Sequence, residues 1–432
     1  MTDEKKAALD NLKKVVKEEL YKCIRCGECR TVCPVFRETP AERYTARGKM
    51  QIAEALAEGR LEFTEHVREA LDNCLLCTGC AAQCGSEARA DRVIMAARQA
   101  FAEELGLPAI KKAISFALTQ GNAALGAEAR VGALFQPLLF RGVPGDSGLY
   151  RRFAMPAVDE RQYIPRLAAV PFRKRVKFAG KAEWPAVTFF TGCMTNYAMT
   201  EIGDSVVKVF NALEIAVRVP SEQGCCGMPM LISGDRAAVR KAAERNVRAL
   251  AASGPEEPII VVCASGGHML RHGYHELFGD DPELGPLLEG IAARMMDVTE
   301  YLAARVGVER IAALVGEGPA LAVTWHDPCH LRKAQKLTRE PRAVLAAAAR
   351  SPVREMAHPE ACCGLGGTYC LTHMDLSKRI QTRKIEDAAA SGADCIATAC
   401  PGCIMQLRDG VRRGPRPDMQ VKHVIQILAE AL

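Results

Sequence analysis

The residues best equipped for chemistry lie in two short stretches, Cys23-Ile-Arg-Cys26-Gly-Glu-Cys29-Arg-Thr-Val-Cys33-Pro34 and Cys74-Leu-Leu-Cys77-Thr-Gly-Cys80-Ala-Ala-Gln-Cys84-Gly85. Both follow the C-x2-C-x2-C-x3-C spacing of four-iron cluster loops. Three thiolates so spaced on a tight loop can each meet a different iron of one cube, while the fourth is carried too far round to join them. In two-cluster proteins that fourth cysteine ligates the other cluster. The expectation is therefore one [4Fe-4S] cluster on Cys23, Cys26, Cys29 and Cys84, and a second on Cys74, Cys77, Cys80 and Cys33. Zinc is the competing chemistry, but it takes four ligands, usually as two pairs across a loop, and has no use for four cysteines in eleven residues twice over. Gly85 stands where the first stretch has Pro34, which predicts a less rigidly framed second cluster.

A second set of cysteines repeats along the chain. Ala186-Val-Thr-Phe-Phe-Thr-Gly-Cys193 parallels Ala322-Val-Thr-Trp-His-Asp-Pro-Cys329, Gly224-Cys225-Cys226-Gly227 parallels Ala361-Cys362-Cys363-Gly364, and Ile260-Val-Val-Cys263 parallels Ala397-Thr-Ala-Cys400. The offsets are 136, 137 and 137 residues, for which gene duplication is the economical explanation. The cysteines fall at the carboxyl ends of expected strands, the edge where open α/β sheets place ligands. The second copy is complete, with Cys329, Cys362, Cys363, Cys400 and Cys403. Five thiolates are too many for zinc or an ordinary cube, but adjacent cysteines can bridge irons in a distorted one, so a third iron-sulfur centre is expected here. The first copy has Cys193, Cys225, Cys226 and Cys263, with Gly266 in place of a fifth cysteine. It either holds a fourth cluster or has decayed into packing. His268 is a candidate substitute ligand there, against the plainer reading of a helix-start residue. His326 and His330 flank Cys329 and either relay protons to a substrate or quinone or hydrogen-bond near the cluster and tune it. Cys370 and Cys395 fall outside the pattern, and Cys395 reads as a small buried hydrophobe.

The elements that must position these groups follow from periodicity. Residues 3–20 form an amphipathic helix with Leu9, Leu12, Val16 and Leu20 on one face, and further helices are expected over 46–58, from Thr64 to Cys74, and over 88–105. Helices, not a β-hairpin, thus separate the first two loops. Both repeats alternate short apolar strands with Ala-rich helices, 236–252 and 375–390, which argues for βαβ units on a small parallel sheet, each closed by a similar segment starting at Val298 or Val424. The fold class is α+β multidomain: a two-cluster ferredoxin-like α-helical domain over 1–105, a Pro/Gly-rich basic linker over 106–185 in which no long element is expected, and α/β domains over 186–310 and 311–432.

With 432 residues and 19 cysteines behind a start lacking any apolar leader, the chain reads as cytoplasmic, its thiols kept for metal in a reducing compartment. The formal charge of +6 counts cysteines as neutral; two clusters at roughly −2 each bring it near +2. Nucleic acid is excluded as a partner on that balance and on 5% aromatic content. Residues 151–181 carry nine basic residues against Asp159 and Glu160, a belt suited either to a peripheral contact with anionic membrane or to a solvated, charge-compensating linker. No G-x-G-x-x-G follows a strand, since Gly316-Glu-Gly318 lacks the third glycine, so flavin or nicotinamide must sit on another subunit.

The paired C-x(n)-C-C-G-x(n)-C-x2-C pattern, with Thr-Gly-Cys193, Gly-Cys-Cys-Gly-Met-Pro229 and His-Asp-Pro-Cys329, resembles the cysteine-rich "CCG" domains of the heterodisulfide reductases, in their B and D subunits. With the N-terminal two-cluster region, the whole resembles the iron-sulfur subunit of glycolate oxidase and related FAD-linked lactate dehydrogenases. That resemblance implies an oxidoreductase subunit carrying electrons between an FAD-containing partner and a quinone or other acceptor. It also implies non-cubane clusters at complete CCG sites, which puts the site lacking a cysteine at Gly266 in question. Two alternatives stay open: a catalytic subunit of the heterodisulfide reductase type, and an electron-transfer subunit serving glycerol-3-phosphate dehydrogenase or an electron-transferring flavoprotein.

Overall fold

A computed structural model describes residues 2–120, 122–142, 148–153, 162–254 and 256–432. Arg161, Asp159 and Glu160 of the basic belt lie outside them. The chain forms two compact units, one of Met1–Ala117, Gly227–Val239 and Ala361–Gln381, the other of Leu118–Cys226, Arg240–Glu360 and Thr382–Leu432.

In the first unit, helices Asp3–Leu20, Ala46–Ala57, Glu65–Asp72 and Ala90–Leu105 enclose a core in which Leu12, Met50, Leu56, Leu71, Val93 and Phe101 are at most 2% exposed. Burying side chains of that size contributes about 1.5–3 kcal/mol each. Thr45 and Thr64 start their helices as expected of N-caps, accepting from the backbone N–H of Gly48 and Val67 at 3.0 and 3.4 Å. The first helix buries Leu12 and Val16 and packs Leu9 and Leu20 partly, the face its periodicity predicts. Helices do separate the two cysteine loops, and the loop residues Cys23, Cys29, Cys80 and Cys84 pack against this core.

Among the described residues the second unit holds three sheets, two of them in the cysteine-rich repeats. One has the order Phe178–Ala179, Ala216–Arg218, Ala186–Phe190, Ile259–Val261, Met295–Asp297, parallel except for its first strand. Val187, Phe189, Phe190 and the Ile259–Val261 strand are fully buried, as parallel strands covered on both faces must be. The other is a parallel trio with Cys395–Thr398 between Val323–Trp325 and Gln420–His423. A counterpart to Ala216–Arg218 would fall at 353–355, where Arg354 N–H makes one bond to Val323 O. Both halves close on a capped helix, with Asp297 and Glu300 forming one capping box and His423 and Gln426 the other.

Residues 106–185 hold more structure than their prolines and glycines suggest. Helices span Ala109–Thr119 and Asn122–Leu139, followed by an antiparallel sheet of Phe140–Gly142, Gly148–Arg151 and Ile164–Pro165. Pro108 precedes the first helix and Pro137 sits in the last turn of the second, positions that interrupt little. Among the described residues no helix is long and apolar enough to cross a membrane.

Candidate iron-sulfur centres

The two cysteine loops share a backbone conformation that their sequences do not announce. Arg25 and Gly27 have φ of 58° and 91°, and the matching Leu76 and Thr78 have 48° and 57°. Left-handed residues on either side of the middle cysteine turn the chain so that its thiols converge. Glycine meets that demand freely, whereas a β-branched threonine does so under strain.

A cavity of about 460 Å³ is lined by Cys74, Cys77, Cys80 and Cys33, and another of about 410 Å³ by Cys23, Cys26, Cys29 and Cys84. Cys80 reaches the second cavity as well. Each cavity thus brings together the four cysteines of one expected crossed set. Burial pushes the Cys29 and Cys33 thiols up and the Cys80 thiol far up, so thiolates there call for a cationic partner such as iron. The donor set and the cavities fit two four-iron clusters.

One helix supplies a base to each cavity. Arg47 lines the cavity of Cys23, Cys26 and Cys29 and donates to Arg25 O at 2.9 Å. Lys49, 1% exposed, lines the other and donates to Tyr44 O. Burial pushes its ammonium down from the ordinary value, opposed by Cys74, Cys33 and Cys80.

The second loop is the more enclosed of the two. Leu75, Leu76 and Cys77 are buried, while Ile24 is 74% exposed and Cys26 lies open. The enclosure that offsets the missing proline comes from distant chain. Gly366, at φ 53°, lies so close to Leu75 that a Cβ there would stand 2.6 Å from Leu75 Cδ2. Arg98, 3% exposed, donates to the carbonyls of Leu71, Cys74 and Ile232 at 2.9, 2.7 and 2.9 Å. Tyr369 donates to Asn73 Oδ1 at 2.9 Å, and the His373 ring stacks on it at 4.6 Å and 9°. Burial raises the Tyr369 phenol, with Cys74, Cys33 and Cys362 acting on it in the same direction.

Cys362 and Cys363 are buried in this first unit, where Gly364 N–H donates to Cys362 Sγ at 3.4 Å. Cys370 is buried nearby and donates to Gly367 O at 3.5 Å.

Cys329, Cys400 and Cys403 belong to the second unit, with the first-copy cysteines. There Cys193, Cys225 and Cys226 stand in thiol-to-thiol contact, as do Cys263, Cys400 and Cys403. The fourth cysteine of the first repeat thus meets the fourth of the second. Asn246 holds the Cys-Cys turn by accepting from Gly224 N–H at 2.6 Å and donating to Cys225 O at 2.8 Å, and Tyr274 donates to Cys226 O at 2.9 Å. A Cβ on Gly266 would meet Cys263, Phe190 and Val261 at 3.5–3.6 Å, an ordinary contact.

His326 and His330 are 1% and 6% exposed. His330 Nδ1 lies 3.0 Å from Ser265 Oγ, and its ring stacks on His268 at 5.0 Å, which joins the histidines of the two repeats. Asp327, between His326 and Cys329, is raised by burial yet held below the usual carboxylate range by Arg342, Trp325 and Arg332. Cys395 is fully buried in its strand, its thiol pushed up to about 12 by burial.

Arg47, Lys49, Arg98 and Tyr369 were not singled out by sequence spacing. Each reads as an ordinary helical or loop residue until the fold brings it to a cavity.

Comparison with known proteins agrees with the cysteine pattern. Residues 19–88 match the family described as 4Fe-4S dicluster domain, and residues 187–271 and 323–408 each match the cysteine-rich domain, CCG. The chain is 26% identical to a probable glycolate oxidase iron-sulfur subunit of Bacillus subtilis, over 96% of this chain and 94% of that protein. It is 25% identical to a fumarate reductase (CoM/CoB) subunit of Methanothermobacter marburgensis, over 95% and 72% of the two chains. Lactate utilization protein A of Shouchella clausii is 28% identical over 56% of this chain and 98% of its own.

Proposed function

Because this chain is a CCG-domain iron-sulfur protein, joining a 4Fe-4S dicluster domain to two cysteine-rich domains, we propose that it is the electron-transfer subunit of a flavin-dependent 2-hydroxyacid dehydrogenase complex, acting on glycolate or lactate. The observation that carries this reading is the pair of cysteine-lined cavities within a chain similar along nearly its whole length to a glycolate oxidase iron-sulfur subunit. Cys23, Cys26, Cys29 and Cys84 hold one cluster and Cys74, Cys77, Cys80 and Cys33 the other. Cys329, Cys362, Cys363, Cys400 and Cys403 hold a third centre, and Cys193, Cys225, Cys226 and Cys263 form the remaining site. When bound, these groups supply one-electron carriers. The protein's own part is to bury thiolates, to set Arg47 and Lys49 against their charge, and to exclude water from the second loop. His326 and His330 tune the third centre or relay protons to its acceptor. The partner subunit carries FAD, and the acceptor is a quinone or another carrier, with the chain placed peripherally at the inner face of the cell membrane. The two cysteine-rich domains descend from one duplicated unit, in which Gly266 marks the copy that lost a cysteine.

The five-cysteine set of the second repeat supports a second reading, a catalytic subunit of the heterodisulfide reductase type whose site itself cleaves a disulfide. Gly266 weighs against it, since one of the two sites lacks a thiol. Anaerobic purification of the chain alone tests the first reading. It should be brown, with several low-temperature EPR centres, and should oxidise no 2-hydroxyacid until an FAD subunit is added. Turnover by the isolated chain would end the proposal.

A further inference from the structure

Helix Asn122–Leu139 turns its apolar face outward. Val131, Leu134, Phe135, Leu138 and Leu139 are 41–73% exposed, at spacings of 0, 3, 4, 7 and 8 residues, the stripe that a helix ordinarily presses into a core. Phe153 extends the patch at 64% exposure. The rim is basic: Arg130, Arg141 and Arg152 are exposed, and no acidic residue occurs from 129 to 145. Arg152 also donates to the carbonyls of Pro137 and Phe140 at 3.1 and 3.0 Å, which closes the helix's C-terminal end and fixes the base beside the apolar stripe.

We propose that this face docks on an anionic lipid surface, with the helix lying in the plane of the membrane interface. Its composition separates lipid from a protein partner. The centres of protein interfaces favour Tyr, Trp, Phe, Met and Arg, whose polar handles, where present, are paired on binding, and are poorer in Leu and Val. Here the stripe is four aliphatic residues and one phenylalanine, and the exposed charges beside it, Arg130, Arg141 and Arg152, are basic, Glu128 being the one acidic residue of the helix. That is the division of an interfacial amphipathic helix, with Leu and Phe sinking to the acyl boundary and Arg meeting anionic headgroups. An acidic protein partner would satisfy the arginines but leave the stripe's hydrocarbon without a fitted counterpart.

The inference rests on the membrane-side location given above and not on the identity of the electron donor, so it can fail while the electron-transfer reading stands. The full chain, purified with its clusters, is sedimented with vesicles of phosphatidylglycerol and phosphatidylcholine in equal parts, and with phosphatidylcholine alone. The wild type should pellet with the anionic vesicles and far less with the neutral ones. L134E/L138E, whose sites are solvent-exposed, should keep its absorbance and circular dichroism while partitioning on the order of tenfold less or lower. R130E/R141E should also bind weakly and lose most of its salt dependence. Wild type remaining in the supernatant, or L134E/L138E binding like wild type, would overturn the proposal. So would a wild type indifferent to vesicles whose L134E/L138E variant no longer co-purifies with its flavoprotein, since the face would then be a protein interface.

Discussion

The phenol of Tyr369 donates to Asn73 Oδ1 at 2.9 Å across 296 residues of sequence. Asn73 immediately precedes Cys74, and Tyr369 follows the Cys362-Cys363 pair by six residues, so this bond ties the approach to one cysteine set to the stretch carrying another within a single compact unit. Tyr369→Phe removes only the hydroxyl and leaves Asn73 Oδ1 without its donor, which should lower stability by about 1–3 kcal/mol. Tyr369→Ala adds a cavity beside Leu75 and should cost about 3–5 kcal/mol. The alanine variant should also surrender iron to a chelator faster, because the Cys74 loop loses its lid. Iron release at the wild-type rate would refute that coupling.

The bases at the two cavities should act on separate clusters. Lys49 is buried among Cys33, Cys74 and Cys80, so Lys49→Met removes a positive charge where screening is weak. The cluster on that set should become harder to reduce, its potential falling by on the order of 100 mV for a unit charge a few ångströms away at an effective dielectric near 20. Arg47→Gln should move the other cluster in the same direction but by less, since Arg47 is partly exposed and paired with Glu42. Potentiometric EPR on the two variants also checks the crossed ligand sets: a Lys49 substitution that shifted only the Cys23, Cys26, Cys29 centre would contradict them.

What could be read in advance divides along a physical line. The grouping of the eight N-terminal cysteines around two cavities was legible because cluster loops are local, with four cysteines fixed at short intervals by the size of one cube. The helix Asp3–Leu20 was legible because its period alone determines which face is buried. Arg98 and Tyr369 were not, because their roles exist only after residues 232 and 361–381 fold onto the first hundred. The helix at 122–139 was obscured by composition: proline and glycine suggested breaks, yet Pro137 falls where the helix is ending. Gly85 suggested a loose second loop, and burial contributed by distant chain made that loop the more enclosed.

Gly266 offers a gain-of-ligand test. The contacts a Cβ would make there are at 3.5–3.6 Å, so Gly266→Cys should fold with little loss of stability. It restores the fifth thiol of the first repeat, three residues after Cys263. Iron and sulfide per chain should rise above wild type in protein reconstituted anaerobically, with a new EPR signal. An unchanged iron content would mean that Cys263, in contact with Cys400, is committed to the second repeat.

The two capping boxes should give the protein opposed pH responses that largely cancel. His423 is fully buried and neutral: its Nδ1 accepts from Ile425 N–H at 3.2 Å, and its Nε2 stands 3.0 Å from Val262 O as the donor. Burial pushes its pKa down to about 4. Since the unfolded value is about 6.5, the unfolded chain takes up the proton first, and the stability His423 contributes above that pH is lost as pH falls toward 4. Asp297, at the matching cap, has its pKa raised by burial to about 7 against an unfolded value near 3.8. Its contribution is intact at low pH and is lost as pH rises from about 4 to 7. Between roughly pH 4.5 and 6.5 the two slopes oppose each other. Asp297→Asn keeps a cap acceptor and should expose the histidine's slope, so that the variant weakens on acidification; His423→Asn should expose the aspartate's and weaken as pH rises. Urea midpoints of the three proteins across this range decide the matter, and parallel profiles for the two variants would show that neither cap titrates with folding.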